Sequence, residues 1–103
     1  MKKIMILNGS PRKNGNTSTL IEKFCAGARQ KGNECEVFHL DSMNINGCKG
    51  CFGCDKNREY PCVQKDDMQK IYSSYRETDV VVLASPLYYW HLSGQLMIAI
   101  NRL

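Results

Sequence analysis

The sequence predicts an α/β fold, a parallel β-sheet held between helices in three layers. Three observations lead there. The runs Ile4-Met5-Ile6-Leu7 and, within Asp79 to Ala84, Val80-Val81-Val82-Leu83 are continuous rather than alternating. They are too short for helices, which suits strands covered on both faces. The segments between and after them carry apolar residues at helical spacing, and the order β-α-β-α-β-α builds a parallel sheet through crossover helices. A chain of 103 residues fits one domain, 1–103, and a hydrophobic fraction of 43% supports a core for it.

The first strand ends at a turn-rich loop, Asn8 to Asn16, and a helix starts near Thr17. That helix runs to Lys31 on an apolar stripe of Leu20, Ile21, Phe24 and Ala28, and Gly32-Asn33 ends it in the manner of a left-handed cap. Cys25 within it and Cys35 beyond it read as small packing residues. Glu34 to Leu40 alternates and forms the second strand; His39 in it is more readily a satisfied structural residue than a catalyst. Residues 41–65 hold no sustained period and form a cysteine-rich insertion loop, long enough in so small a domain to carry function. Asp66 to Glu77 is the second helix, with acids in its first turn and a stripe of Met68, Ile71, Tyr72 and Tyr75. Asp79 to Ala84 is the third strand, and Gln95 to Arg102 the last helix.

The balance of 14 Lys and Arg against 10 Asp and Glu gives a net charge of +4. The charges are scattered and no aromatic residues interleave a basic run, which argues against nucleic acid and suits an anionic cofactor. No stretch reaches the roughly 18 apolar residues of a membrane span, and Met1-Lys2-Lys3 is followed by too few for a signal peptide. A cytoplasmic location is expected. Six cysteines in that setting argue for metal or redox chemistry rather than a disulfide framework.

Three segments carry chemistry. The loop Gly9-Ser10-Pro11-Arg12-Lys13-Asn14-Gly15-Asn16-Thr17 joins a strand to a helix N-terminus, is dense in hydrogen-bonding groups and bears two cations. Its free amides and the helix dipole favour a phosphate. It is neither a Walker A loop nor GxGxxG, and the plain alternative is an ordinary capped turn. Cys48, Cys51, Cys54 and Cys62 form C-x2-C-x2-C-x7-C, with Gly47, Gly50 and Gly53 each preceding a cysteine. Three thiols from one run and a distant fourth suit a cubane iron–sulfur centre. Zinc, which favours paired C-x2-C knuckles, and a metal-free thiol cluster remain open. Ser85 to Leu96 places Tyr88, Tyr89 and Trp90 after the third strand, where they either pack on a neighbour or meet a flat ring.

All three segments resemble known motifs. Residues 9–17 resemble the GSPRxxGNT segment, and residues 85–102 the (S/T)PxYxxxxSxQLKxxIDR segment, of the NAD(P)H-dependent FMN reductases. The cysteine run resembles that of the iron–sulfur flavoproteins of the same group, whose last gap is shorter. Met97 stands where the family often has lysine, and Asn101 where it often has aspartate.

The resemblance covers the whole chain and implies a flavodoxin-like sheet of three strands here, order 2-1-3. It implies FMN as cofactor, with Ser10, Arg12, Asn16, Thr17 and Ser18 on the phosphate and Pro86, Leu87, Tyr88, Tyr89 and Trp90 along the ring. It further implies NAD(P)H as donor, an unnamed acceptor, a 4Fe–4S cluster on Cys48, Cys51, Cys54 and Cys62, and no side chain as acid or base. The rival readings are an electron carrier without NAD(P)H turnover and a cysteine-based metal or redox-sensing module. A flavodoxin-like domain has five strands in the order 2-1-3-4-5. With three in the sequence, Val80 to Ala84 is expected to form an exposed apolar edge and the chain to self-associate as a homodimer or larger species.

Overall fold

The computed structural model describes residues 1–51, 62 and 64–103. Strands β1 (Lys3–Asn8), β2 (Glu34–His39) and β3 (Val80–Ala84) form one parallel sheet in the order β2-β1-β3. Ile4 lies between Cys35 and Val80 in register, and Leu7 between Phe38 and Leu83. This is the order of the first three strands of a flavodoxin-like sheet.

Successive side chains of a strand point to opposite faces, and β1 supplies both cores that way. Met5 and Leu7 meet Met68, Ile71 and Tyr72 of α2 (Met68–Glu77), Leu96 and Ala99 of α3 (Gly94–Ile100), and Leu40. Ile4 and Ile6 meet Ile21 and Cys25 of α1 (Asn16–Gln30), with Cys35, Val82 and Ala84 packed alongside. The result is three layers, with α1 on one face and α2 and α3 on the other. Met5, Ile6 and Leu7 are wholly buried, each worth about 1.5–3 kcal/mol of transfer free energy.

The stripe of α1 is narrower than the sequence suggests: Ile21, Cys25 and Ala28 face the sheet, while Leu20 is 72% and Phe24 45% exposed. A helix resting on one edge of a twisted sheet covers only the i, i+4, i+7 row. Similarly Tyr75 leaves the stripe of α2 and is exposed. That helix starts at Met68 rather than Asp66: Asp67 Oδ2 accepts the Asn44 N–H, and Asp66 accepts the Asn46 N–H on Oδ2 at 3.0 Å and the Met68 N–H on Oδ1 at 3.1 Å, so the acids join the incoming chain to the helix start from outside it. Helix α1 begins one residue before the expected Thr17. β2 stops at His39, and Leu40–Ser42 forms a 3-10 turn. α3 is shorter than expected, ending at Ile100.

Strand β3 lies at the end of the sheet. Val80, Val81 and Leu83 are 41%, 36% and 46% exposed. Among the described residues its one strand neighbour is β1. An apolar run reports that a strand's faces are apolar, not how much of them is covered.

Candidate functional site

The carboxyl ends of the three strands open onto one rim, where three loops begin: residues 9–15 after β1, the segment from residue 40 after β2 and residues 85–93 after β3. Ligands of open α/β sheets bind in the crevice at such strand ends.

The central loop is closed by its own side chains. Buried Asn8, the last residue of β1, accepts the Ser10 N–H on Oδ1 at 2.9 Å and donates from Nδ2 to Ser18 Oγ at 3.3 Å. The Ser10 hydroxyl accepts the Arg12 N–H at 3.2 Å and donates to the Arg12 carbonyl, which also receives the Ser18 hydroxyl. Ser10 is buried, Thr17 and Ser18 are half-buried, and Arg12, Lys13 and Asn16 are exposed. Thus the serine hydroxyls shape the loop, and the outward cations and amides face solvent. Helix α1 is opened by Gly15, which offers no side-chain cap, and its first turn contains no acid. The uncapped N–H groups with Arg12 and Lys13 at hand form a donor set whose chemistry fits a phosphate.

Flanking elements hold this loop from both sides. The Gly9 N–H donates to the Ala84 carbonyl at 2.8 Å. A Cβ on Gly9 would lie 2.5 Å from Ser93 Oγ and 2.8 Å from Leu96 Cβ, so only glycine lets the start of α3 approach so closely. Ser93 is fully buried and caps α3 by accepting the Leu96 N–H, while its own N–H reaches Ser85 Oγ at 2.8 Å. On the other side, His39 Nε2 sits 2.9 Å from the Ser10 carbonyl. A carbonyl only accepts, so Nε2 carries the proton there. His39 is a structural tie.

The loop after β3 turns sharply. Tyr88 and His91 exchange two backbone hydrogen bonds of 3.0 Å, enclosing Tyr89 and Trp90 at φ +50° and +64°. Both fall in the left-handed region, where such tight turns favour Asn and Gly and each bulky residue costs about 1–2 kcal/mol. The turn holds Tyr89 at 98% and Trp90 at 88% exposure, with Leu87 and Tyr88 also exposed and Pro86 half-buried. Strain spent on presenting two uncovered rings points to a ligand or partner surface.

In the cysteine-rich segment Cys48 and Cys51 are exposed, Gly50 between them adopts φ +66°, and Cys62 is half-buried against the α2–α3 core. Cys54 lies outside the described residues. Among those described, no three potential metal ligands are gathered. Cys62 adjoins a buried network that the sequence did not disclose. Asp66 and Arg102 form an ion pair with both side chains 1% exposed. Arg102 Nη1 also donates to the Asn46 carbonyl at 3.0 Å, and the Tyr72 hydroxyl donates to the Arg102 carbonyl at 2.7 Å.

Burial alone would raise the Asp66 carboxyl, but the Arg102 guanidinium and the N–H groups of Asn46 and Met68 outweigh it and hold the pKa below the ordinary value. Burial would likewise raise Cys62, but the Gln64 N–H and the Arg102 guanidinium bring it down. Burial pushes the Tyr72 hydroxyl up. Arg102 Nε is buried with no partner among the described residues, a spare N–H on the group beside Cys62. All-thiol donors with a neighbouring cation fit a thiolate-bound metal centre.

A family model described as NADPH-dependent FMN reductase matches residues 2–103. An iron-sulfur flavoprotein of Archaeoglobus fulgidus is 41% identical over 103 residues, covering 100% of this chain and 46% of its own length. An iron-sulfur flavoprotein of Methanosarcina thermophila is 31% identical, covering 97% of this chain and 51% of its own. The chain therefore spans about half the length of the curated relatives it matches. Among solved structures, RosB with a bound riboflavin-phosphate intermediate superposes with a TM-score of 0.78 at 22% identity, over 98% of this chain and 41% of that one. That likeness establishes the fold.

Proposed function

The chain belongs to the NADPH-dependent FMN reductase family, and from that premise we propose that it binds FMN on the rim of its sheet and serves in electron transfer from NAD(P)H to an acceptor. The observation that carries this is the uncapped start of α1, set behind a loop with outward cations and no acid in the helix's first turn. Thr17, Asn16, Arg12 and the first amides of α1 would hold the phosphate, while Ser10 and Ser18 keep the loop in shape through the Arg12 backbone. Pro86, Leu87, Tyr88, Tyr89 and Trp90 would border the ring, with Tyr89 and Trp90 excluding water from it. Bound FMN supplies reversible acceptance of a hydride or electrons; the protein supplies binding and orientation.

Cys48, Cys51, Cys54 and Cys62 would hold a 4Fe–4S cluster, a reading supported by the spacing, by the Arg102 N–H beside Cys62 and by relatives named iron-sulfur flavoproteins. No helix among the described residues is long and apolar enough to cross a membrane. The proposal further places the enzyme in the cytoplasm as a self-associating species.

The test is anaerobic reconstitution with FMN, iron and sulfide, followed by iron analysis and NADPH oxidation. The expected outcome is about four irons per chain, abolished by Cys51→Ser and kept in Cys25→Ser, with NADPH consumed only when FMN is present. Equal iron loss in both variants would assign the wrong thiols, and no NADPH oxidation by flavin-loaded protein would leave electron carriage without turnover.

A further inference from the structure

The two cysteines outside the C-x2-C-x2-C-x7-C run are neighbours. Cys25 lies in α1 and is 4% exposed; Cys35 lies on the edge strand β2 and is half-buried. Both belong to the α1-side core with Ile4, Ile6 and Ile21, Cys35 packed against the cluster that holds Cys25. Arg29, one turn beyond Cys25 on the same face of α1, reaches across to β2 and donates from Nη2 to the Cys35 carbonyl at 3.4 Å. Helix and strand are thus tied beside the two cysteines. Cys35 borders one open groove of about 650 Å³ and Cys25 another of about 680 Å³, with Arg29 on the wall of both. Small reagents in water therefore have a way in from either side.

We propose that Cys25 and Cys35 form a dithiol site, separate from the cysteine-rich loop, that closes to a disulfide on exchange with a low-molecular-weight disulfide. Two features set the order of events. Cys35 is the more exposed. Burial and the adjoining Cys35 hold the Cys25 thiol above its ordinary pKa, and the Arg29 cation pulls it the other way. Cys35 therefore reacts first: its thiol releases a proton, the thiolate attacks one sulfur of the small disulfide, and one small thiolate leaves. Cys25 then loses its proton and attacks the Cys35 sulfur of the mixed disulfide, expelling the second small thiolate. The two released protons end on the two small thiolates. Two protein thiols are oxidised and one small disulfide is reduced to two thiols. The sulfurs must close only to the usual bond length of about 2.05 Å, and the ring closed is short, from residue 25 to residue 35. Reduction by a dithiol runs the same steps backward.

Incubation of the full chain with oxidised glutathione under anaerobic conditions tests this. Trypsin together with a glutamate-specific protease, which cuts after Glu36 and so parts Cys35 from Cys48, resolves the products by mass. The expected result is a linked pair of peptides bearing Cys25 and Cys35, formed ahead of any bond within the cysteine-rich loop. Cys25→Ser should instead accumulate a stable glutathione adduct on Cys35, and Cys35→Ser should leave Cys25 unmodified while the chain stays folded. A lasting adduct on Cys35 of the unaltered chain, an unmodified Cys35, or linkages spread equally over the other cysteines would each overturn the proposal.

Discussion

Two single residues decide how close the elements around the rim can come. Gly9 is held to the Ala84 carbonyl with α3 directly above it. Gly9→Ala forces α3 outward and should cost about 1–3 kcal/mol, read as a lower urea midpoint. Asp66 is the second. Its folded pKa lies below the ordinary value, so its contribution is complete above the unfolded pKa of about 3.9 and is lost as pH falls through the folded pKa. Urea titrations from pH 7 downward should therefore show stability falling once the pH drops below about 4. Asp66→Asn leaves Arg102 buried without its counter-charge; it should start about 3–5 kcal/mol lower and fall less steeply. A slope unchanged by the substitution would mean that Asp66 does not govern the acid response. The sequence showed Asp66 as a first-turn acid and Arg102 as the end of a motif. Nothing in their spacing, 36 residues apart, announced the pair, because a buried ion pair is made by packing and leaves no local period. Asn8 was legible in principle, as the polar residue ending an apolar strand.

At the scale of elements, the strands were readable because β1 is central, and burial on both faces leaves a continuous apolar run. The apolar stripes of the helices are wider than what the sheet covers, by Leu20 and Phe24 on α1 and Tyr75 on α2, since sequence gives the apolar face but not the width of the sheet beneath it. The loop after β1 is legible by its composition as rich in hydrogen-bonding groups. That the Ser10 and Ser18 hydroxyls also tie the loop to itself is not, since it depends on where Asn8 and Arg12 point. The turn at Tyr89 and Trp90 was legible as aromatic but not as strained, since the local sequence has none of the residues such a turn prefers. Strain kept for binding predicts a trade. Tyr89→Asn combined with Trp90→Gly should raise the unfolding free energy by about 1–3 kcal/mol while weakening FMN binding. A variant that gained stability and kept its flavin affinity would show the rings to be idle.

For the whole molecule, the parallel sheet and its layers followed from the alternation of elements, while the strand order β2-β1-β3 was legible only through the family resemblance; the positions of the three loops followed from that order. The exposure of Val80, Val81 and Leu83 at the sheet's end leaves an uncharged edge of the kind that recruits another strand. In isolation the 103-residue chain should therefore sediment as a dimer or larger species at micromolar concentration, and a monomer there would show that this edge is tolerated. The central claim is narrower: the start of α1 and its loop are a phosphate site. Fluorescence titration of the same protein with FMN and with riboflavin, which lacks the phosphate, isolates that site from every contact to the ring. Hydrogen bonds to a charged group are worth about 1.5–3 kcal/mol each, so two of them predict FMN binding at least tenfold tighter than riboflavin, with the difference shrinking in Thr17→Ala. Equal affinities for FMN and riboflavin would contradict the assignment.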